Sequence, residues 1–474
     1  MSTEIRIDGQ TIDLADETSL PITLINPHLT YGSIPDSKVT IPNAPFSLAN
    51  QRIFEYAEMP QAGNELRRYQ AESFYNGALI YKGLAYVKSA DPLAGYQLEV
   101  SDDLKRFFGA YQAIPMNELD LGTVSLPVLQ PLIKVEGRPA ACFPAIINPD
   151  YYGTNGAAVS YSGVVNDYEA GEYTGTGPKV PMLFGSFLLS RIAALTGVII
   201  EGPFLDHPTW SKLILTNWRA LDGATEITVN RHVPAWTIPQ FLLELRKVPN
   251  LKLDFYPTDR RLVIDFWEPC LKAVPKWDWT DKAAPGHDKY PEINRRLHLA
   301  FDLDGGDGLM KDRPAEMEDY ITPAASVLGD VATGLAKINL GLTTFLLDDE
   351  HGLPYAKRTG VTELFNQLAV STAPRLLFWY GMNEDEIPSA YPEADGISLY
   401  LNGHTGIAAT SWKQTEAMRL GMFYLKKDFI LDETDLARFD FSDLVHYNGL
   451  NYLVASITGE LPVAKVFTVL LVKA

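Results

Sequence analysis

The chain has 474 residues, a length that predicts two to four packed units rather than one small domain. Hydrophobic residues make up 46% and charged residues 21% of the sequence, which excludes a disordered, collagenous or coiled-coil chain. Acidic residues number 59 and basic residues 40, and the resulting net charge of −19 argues against nucleic acid as the main partner.

The first part of the chain, residues 1–122, carries hairpin signals. Asp8-Gly9 and Asn76-Gly77 each separate two apolar alternating segments, and these residue types readily adopt the positive φ angles of two-residue turns. Tyr96 to Val100 alternates, which predicts a strand with one buried face. We therefore predict a small β-barrel or sandwich here. Residues 33–63 contain four prolines and predict an extended arm that contacts another molecule.

Residues 123–180 form a section rich in Gly, Pro and Tyr that predicts a loop-rich insertion. The sequence leaves open whether its tyrosines serve internal packing or an aromatic contact surface. These tyrosines are Tyr151, Tyr152, Tyr161, Tyr168 and Tyr173.

Residues 181–287 predict a helix-plus-hairpin middle domain. Apolar residues recur at helical spacing from Pro181, Gly197 ends that helix, and residues 198–200 resemble a buried strand. A second helix begins after Thr237, which has the side chain to cap it. Two strands, residues 251–255 and 262–266, then flank a Pro-Thr-Asp turn.

Residues 288–474 predict a C-terminal β-rich domain. Asn402-Gly403 and Asn448-Gly449 are hairpin turns by composition. The apolar strand Val466 to Val472 requires a partner on each side, because an exposed apolar strand templates aggregation. The whole chain is therefore expected to be α+β and β-dominated, with several domains.

Catalytic signatures are missing from the sequence. The eight histidines show no paired spacing around a glutamate, and no nucleophile elbow is present. The glycine-rich segments 153–156 and 171–177 lack the strand-turn-helix context of a phosphate-binding loop. We predict no catalytic residue, no cofactor-binding residue, no metal ligand and no cofactor, and hence no enzyme.

Three carboxylates, Asp302, Asp304 and Asp307, lie close together, but their spacing departs from that of a helix-loop-helix calcium site. We interpret them as an acidic turn, and we interpret residues 348–350 and 384–386 as solvated acidic loops. Cys142 and Cys270 predict two buried reduced thiols. The first eight residues lack a signal-peptide pattern, and the most apolar stretch, residues 180–204, is too interrupted to cross a bilayer.

Several stretches resemble hub proteins of the tail tip or baseplate of tailed bacteriophages and prophages, especially those of Bacteroidota hosts. The resembling stretches are SIPDSKVTIPNAPFSLANQRIF at 33–54, FYNGALIYKG at 74–83, EGPFLD at 201–206, KLILTNWRALD at 212–222, the helix-hairpin at 232–266, FDLDGGDGLMK at 301–311 and residues 452–473. They cover patterned strands and turns along most of the chain.

The resemblance implies a structural virion protein: a homotrimeric hub with tail-tube-like β-barrels that joins the hexameric tail tube to a threefold spike or fibre. Expected partners are further copies of the chain, a tail-tube or distal tail protein, and a central spike, fibre or tape-measure protein. No membrane anchor is expected, and DNA is only passing cargo. The expected location is the virion tail tip, after synthesis in the bacterial host cytoplasm.

Two alternatives remain open. One is a distal tail ring or a fibre-anchoring tail protein. The other is a secreted multi-domain carbohydrate-acting protein, whose tryptophans would form platforms for sugar rings. Those tryptophans are Trp210, Trp218, Trp236, Trp267, Trp277 and Trp279.

Overall fold

The computed structural model describes residues 2–16, 18–63, 67–91, 93–126, 128–152, 161–221, 223–324, 334–358, 374–462 and 466–474. Strand accounts for 40% and helix for 19% of the residues, distributed over several sheets. The predicted β-dominated, multi-domain α+β class is confirmed.

The N-terminal section forms antiparallel hairpins. Both predicted turns are present, with φ angles of 48° and 78° at Asp8-Gly9 and of 47° and 82° at Asn76-Gly77. The prediction of an extended arm over residues 33–63 is wrong, because a strand and a helix form within it. The elements are β1 Thr3–Ile7, β2 Gln10–Thr11, β3 Leu20–Ile25, β4 Lys38–Ala44, α1 Leu48–Ile53, β5 Tyr69–Tyr75, β6 Ala78–Asp91 and β7 Gly95–Ser101.

The middle section contains the two predicted helices. The first begins at Gly185 rather than at Pro181, because Met182–Phe184 pairs with neighbouring strands before the helix starts. The strand after it is only half-buried, with Ile199 56% exposed. The elements are β8 Thr123–Ser125, β9 Leu132–Val135, β10 Arg138–Cys142, β11 Ile146–Ile147, β12 Val164–Val165, β13 Tyr168–Glu169, β14 Glu172–Tyr173, β15 Met182–Phe184, α2 Gly185–Thr196, β16 Ile199–Glu201, β17 Leu213–Thr216, β18 Glu226–Thr228, α3 Ile238–Lys247, β19 Leu251–Tyr256 and β20 Arg261–Phe266.

The predicted helix-plus-hairpin is confirmed. Thr237 Oγ1 accepts a hydrogen bond from Gln240 N at 3.4 Å and caps α3. The apolar side of α3 is buried, and β19 pairs with β20 along six residues. β16 adds a parallel third strand to this small sheet.

The C-terminal section confirms the turn at Asn448-Gly449 but not the one at Asn402-Gly403. There, the Asn402 amide bonds the carbonyls of Ala315 and Glu318, and the chain continues into a helix. The elements are β21 Trp277–Asp278, β22 Asp288–Pro291, β23 Arg296–Phe301, β24 Tyr320–Ile321, β25 Leu335–Leu340, β26 Leu346–Leu347, β27 Pro354–Tyr355, β28 Arg375–Met382, β29 Pro388–Tyr391, β30 Glu393–Ala394, β31 Ile397–Ser398, α4 Ile407–Ser411, α5 Lys413–Leu420, β32 Phe423–Ile430, α6 Glu433–Arg438, β33 Val445–Tyr447, β34 Leu450–Leu461 and β35 Val466–Lys473.

Short turns of 3-10 helix connect many of these elements. They are Leu104–Arg106, Gly109–Tyr111, Met116–Glu118, Trp210–Lys212, Val229–His232, Pro257–Asp259, Cys270–Lys272, Thr280–Lys282, Gly308–Asp312 and Ala315–Met317.

Strands from both ends of the chain join in one large sheet. Its order is β2-β1-β5-β6-β7-β4-β3-β34-β35-β32-β22; β33 also pairs with β34, and β21 pairs with β33. β3 pairs with β34 from Leu20↔Leu461 to Ile25↔Ser456, and one hydrophobic core contains residues of both halves. The terminal strand β35 lies between β34 and β32, as its apolar sequence requires. The division of the chain at residues 122, 180 and 287 stays a prediction, since this sheet spans residues 3 to 473.

A second core fills the middle of the molecule. It lies around the six-stranded sheet β29-β28-β17-β15-β10-β9, against which α2 packs, and it extends to α3 and its hairpin. None of the helices that the structure describes has the length and apolarity needed to cross a bilayer.

Candidate functional site: a contact surface around α1

The described residues hold no group of three or more His, Cys, Asp or Glu side chains placed to bind a metal ion. The acidic turn is instead neutralised by arginine. Asp307 Oδ2 lies 2.6 Å from Arg375 Nη2, and Asp304 pairs with Arg358. Residues 348–350 and 384–386 form exposed turns, as predicted. The two cysteines are free thiols, Cys142 buried and Cys270 only half-buried.

Four of the five tyrosines of the 123–180 section pack or hydrogen-bond internally, whereas Tyr168 is half-buried and donates to the nearby Gly171 carbonyl. Tyr151 and Tyr152 are each 6% exposed. The hydroxyl of Tyr161 donates to the carbonyl of Asn148, and that of Tyr173 donates to the carbonyl of Phe143. Of the two interpretations left open, internal packing therefore fits these residues. The glycine-rich segment 153–156 lies outside the described residues.

Most of the tryptophans proposed as sugar platforms are also buried. Trp210, Trp218, Trp267 and Trp279 are at most 5% exposed, and Trp236 and Trp277 are half-buried. Buried indole rings offer no face to a ligand, so Trp210, Trp218, Trp267 and Trp279 do not form the proposed platforms.

Residues 33–63 close one end of the N-terminal half. Ser47 Oγ accepts from Asn50 N at 3.2 Å and caps α1. Phe54, fully buried, follows α1 and packs between Tyr69 and Tyr96, with ring centroids 5.6 and 4.8 Å away. Residues 33–63 are therefore held against the sheet by the packing of Phe54 between two tyrosine rings.

The turn that follows Phe54 is strained. Glu55 and Tyr56 have φ angles of 52° and 57°, in the left-handed region that side chains with a Cβ rarely occupy. Glu55 pairs with Arg67, whose guanidinium lies 4.9 Å from the Tyr69 ring centroid. Glu58 accepts from the Tyr96 hydroxyl. These contacts hold a conformation that turns Tyr56 outward.

Large apolar side chains lie exposed on α1, on the turn after it and on the β6–β7 hairpin. Leu48, Tyr56 and Met59 are 56%, 38% and 41% exposed. Leu93, at the tip of the β6–β7 hairpin, is 98% exposed, and Gly95 near it approaches Ala44 so closely that a Cβ at this position would clash with the Ala44 carbonyl. Clustered exposed apolar side chains mark interaction sites in soluble proteins. We call Leu48, Tyr56, Met59 and Leu93 the α1 surface.

The sequence analysis missed the most exposed member of the α1 surface. Leu93 lies in Asp91-Pro92-Leu93-Ala94-Gly95, a turn in which a large apolar side chain has no packing role. The Asp91 carboxylate accepts from Leu93 N at 2.8 Å and so fixes the turn. That mismatch between turn composition and a leucine is the signal that identifies it.

Strand addition at the ends of the large sheet is disfavoured. Within the described chain, β22 pairs only with β32 and β2 only with β1. β22 carries Lys289 and Pro291, and β2 is two residues long. Lysine, proline and short length are the features that protect sheet edges from further pairing. At these two ends of the large sheet, side chains rather than strand edges therefore provide the available contact surface.

The start of residues 33–63 is tied to the sheet by a carboxyl group. Asp102 Oδ2 accepts from Ser37 N at 2.8 Å, and the Tyr81 hydroxyl lies 2.9 Å from Asp102 Oδ1 and 2.8 Å from the Ser37 carbonyl. Burial raises the pKa of Asp102 to about 6, and the neighbouring Asp36 carboxylate also raises it. Burial likewise raises the pKa of Asp36.

The Asp102 pKa predicts a pH-dependent stability. The native state retains a proton that the unfolded chain, with an ordinary pKa of 3.8, has released. The contribution of Asp102 to the free energy of unfolding is therefore largest below about pH 4 and falls by about 3 kcal/mol as the pH rises from about 4 to about 6. In Asp102→Asn this part of the pH dependence should disappear, because an amide does not titrate. The amide can still accept from Ser37 N and donate to the Tyr81 hydroxyl. Urea unfolding across that pH range measures it, and identical profiles for the two proteins would contradict the prediction.

No protein-family model matches the chain, and no curated protein matches it. Among solved structures, the 43 kDa tail protein of prophage MuSo2 from Shewanella oneidensis is similar over 99% of this chain and 97% of its own, with 8% identity and a TM-score of 0.41. The tail protein from Neisseria meningitidis MC58 is similar over 99% of this chain and 95% of its own, with 12% identity and a TM-score of 0.38. The prophage tail protein gp18 from Listeria monocytogenes EGD-e is similar over 99% of this chain and 94% of its own, with 8% identity and a TM-score of 0.38. These low scores assign neither a family nor a function to this chain.

Proposed function

We propose that this chain is a structural protein of a bacteriophage tail that assembles as a homotrimeric hub in the tail tip or baseplate. In that position it joins the hexameric tail tube to a threefold spike or fibre. Two of the resembling sequence stretches, residues 33–54 and 74–83, contain α1 and the β5–β6 turn. The single observation that carries the proposal is the exposed apolar α1 surface.

The charges favour a second copy of this chain as the partner that covers the α1 surface. Each copy has a net charge of −19, so two copies repel each other at most orientations. Beside the α1 surface, however, Arg67 pairs with Glu55 and lies 3.9 Å from Asp8. One guanidinium offsets part of the charge of these two carboxylates, which lowers the repulsion at this face, where apolar burial can drive association.

Light scattering during size-exclusion chromatography tests the proposal. We expect trimers, and we expect Leu93→Asp together with Leu48→Asp to raise the dissociation constant by at least about a hundredfold, because buried interface charges are costly. Val274→Asp is the matched control, since Val274 is an 87% exposed apolar side chain elsewhere.

Particle images supply the second readout. Antibody labelling should place the chain at the tail tip with threefold symmetry. A sixfold ring would favour a distal tail protein instead. A chain that stays monomeric with purified tail tube and spike, and that is missing from tail particles, would refute the proposal.

A further inference from the structure

A groove of about 390 Å³ opens beside strand β28, away from the α1 surface in sequence and in sheet. Its volume lies within the roughly 300–1,000 Å³ range of small-ligand sites. The groove exists because β28 is longer than its partner. Pairing with β17 ends at Leu213↔Phe378, and the strand continues to Met382 without a β17 residue opposite it.

Aromatic rings form the floor and walls of this groove. Phe378 lies opposite Tyr391 in the β28–β29 pair, so these side chains share a sheet face, and Phe378 is buried at the base. Tyr380, two residues further along β28, is 64% exposed. Its ring centroid lies 5.4 Å from that of Tyr391, with an interplanar angle of 70°. The two rings therefore present faces in different directions.

Charged groups line the opening. Lys212 Nζ lies 2.7 Å from Asp395 Oδ2, and Thr209 Oγ1 donates to the same oxygen at 3.1 Å. The hydrogen bond from Lys212, followed by that from Thr209, lowers the pKa of Asp395. Glu393 is exposed and lies 3.4 Å from Thr405 Oγ1. The opening thus carries one ammonium group and two carboxylates, a net charge of −1.

We propose that this groove binds the uncharged pyranose rings of a saccharide. The C–H faces of a pyranose stack on exposed tyrosine rings, and its hydroxyl groups donate to carboxylates and accept from an ammonium group. The surplus carboxylate disfavours sugars that carry a carboxylate or phosphate of their own. This inference is independent of the trimeric assembly proposed above, because it uses none of the residues of the α1 surface.

The same arrangement fits a partner protein less well. A protein contact would bury the Lys212–Asp395 pair and the Glu393 carboxylate together, and burying charged groups costs more than their attraction returns unless each finds a new partner. A saccharide leaves them partly in water and supplies hydroxyl groups to both. None of these residues belongs to the six tryptophans proposed from the sequence; the platform comes from tyrosines at the end of a strand.

Saturation-transfer NMR and calorimetric titration test the inference on the full chain. The probes are maltotriose and chitotriose, with 3′-sialyllactose as the acidic probe, each up to about 10 mM, above the dissociation constant of roughly 1 mM for a weak site. We expect saturation transfer to at least one neutral probe. Tyr380→Ala should weaken that binding by at least about tenfold, since one stacking face is lost.

Tyr290→Ala is the matched control, because Tyr290 is an exposed tyrosine, 46% accessible, on β22. It should bind the neutral probe as the parent chain does. Circular dichroism checks that both variants fold. The inference is overturned if neither neutral probe binds, if sialyllactose binds more tightly, or if Tyr380→Ala binds unchanged. It is equally overturned if Tyr380→Ala alters only the oligomeric state, because the groove is then a protein interface.

Discussion

Replacing Arg246 with alanine is expected to lower the free energy of unfolding by about 3–5 kcal/mol, one of the two largest effects of any substitution proposed for this chain. Arg246 is 1% exposed. Its guanidinium donates to the carbonyls of Leu251, Thr30 and His28 at 2.9, 2.8 and 2.8 Å. Alanine removes the donor from the carbonyls of Leu251 and His28, both buried residues, and opens a cavity.

Arg246 connects several elements, so its replacement should destabilise more of the structure than α3 alone. Its guanidinium lies 4.8 Å from the ring centroid of Tyr31, whose hydroxyl donates to Asn250 at 2.6 Å. The Tyr31 ring in turn contacts Trp412, with centroids 4.7 Å apart. Arg246 therefore ties α3 to the connection between β3 and β4 and, through Tyr31, to α4 and α5.

Guanidinium-induced unfolding, followed by tryptophan fluorescence and by circular dichroism, measures the effect. Arg246→Lys should fall between the parent chain and Arg246→Ala, because an ammonium group keeps the charge but cannot reach three carbonyls in a fork. Arg138→Ala, at an exposed arginine, should change the free energy of unfolding by no more than about 0.5 kcal/mol. A loss below about 1 kcal/mol for Arg246→Ala would show that the three carbonyls find other donors.

Replacing Asp307 with alanine is expected to cost about 3–5 kcal/mol for a different reason. Arg375 is 2% exposed, and Asp307 is its nearest carboxylate at 2.6 Å, while Asp304 stands 3.7 Å away. Asp307 Oδ1 also accepts from the backbone N–H groups of Leu309 and Lys357, both at 3.0 Å. The substitution leaves a buried guanidinium and two backbone donors without their acceptor.

A double variant separates the charge effect from general packing damage. Asp307→Ala with Arg375→Met removes the stranded charge and should recover at least about half of the loss, since an apolar pair is often tolerated where a broken ion pair is not. Glu201→Ala breaks the exposed pair with Arg261 and should cost at most about 1 kcal/mol. If the double variant is no more stable than Asp307→Ala, the buried charge is not the cause. Denaturant unfolding of all four proteins provides the comparison.

The sequence by itself determined the elements whose causes are local. The turns at Asp8-Gly9, Asn76-Gly77 and Asn448-Gly449 need positive φ angles, and the residue types that tolerate them occupy those positions. The α3 helix begins at a threonine cap, and its hairpin alternates with period two. Such signals lie within a few residues of one another, so they can be read without knowing what packs against them.

Tertiary structure alone decided the features that depend on distant partners. The prolines in residues 33–63 indicate an arm, yet β4 pairs with β3 and β7, because its one proline, Pro42, falls where the register with β7 shifts between Ile41 and Ala44. Asp307 indicates an acidic turn, and only the fold brings Arg375, 68 residues away, against it. Likewise the β28 groove depends on the length of β28, which continues beyond its pairing with β17. Leu93 of the α1 surface lies at the tip of the hairpin formed by the long strand β6 and β7. Register between distant strands sets those lengths, and register follows from which apolar faces meet in the folded core.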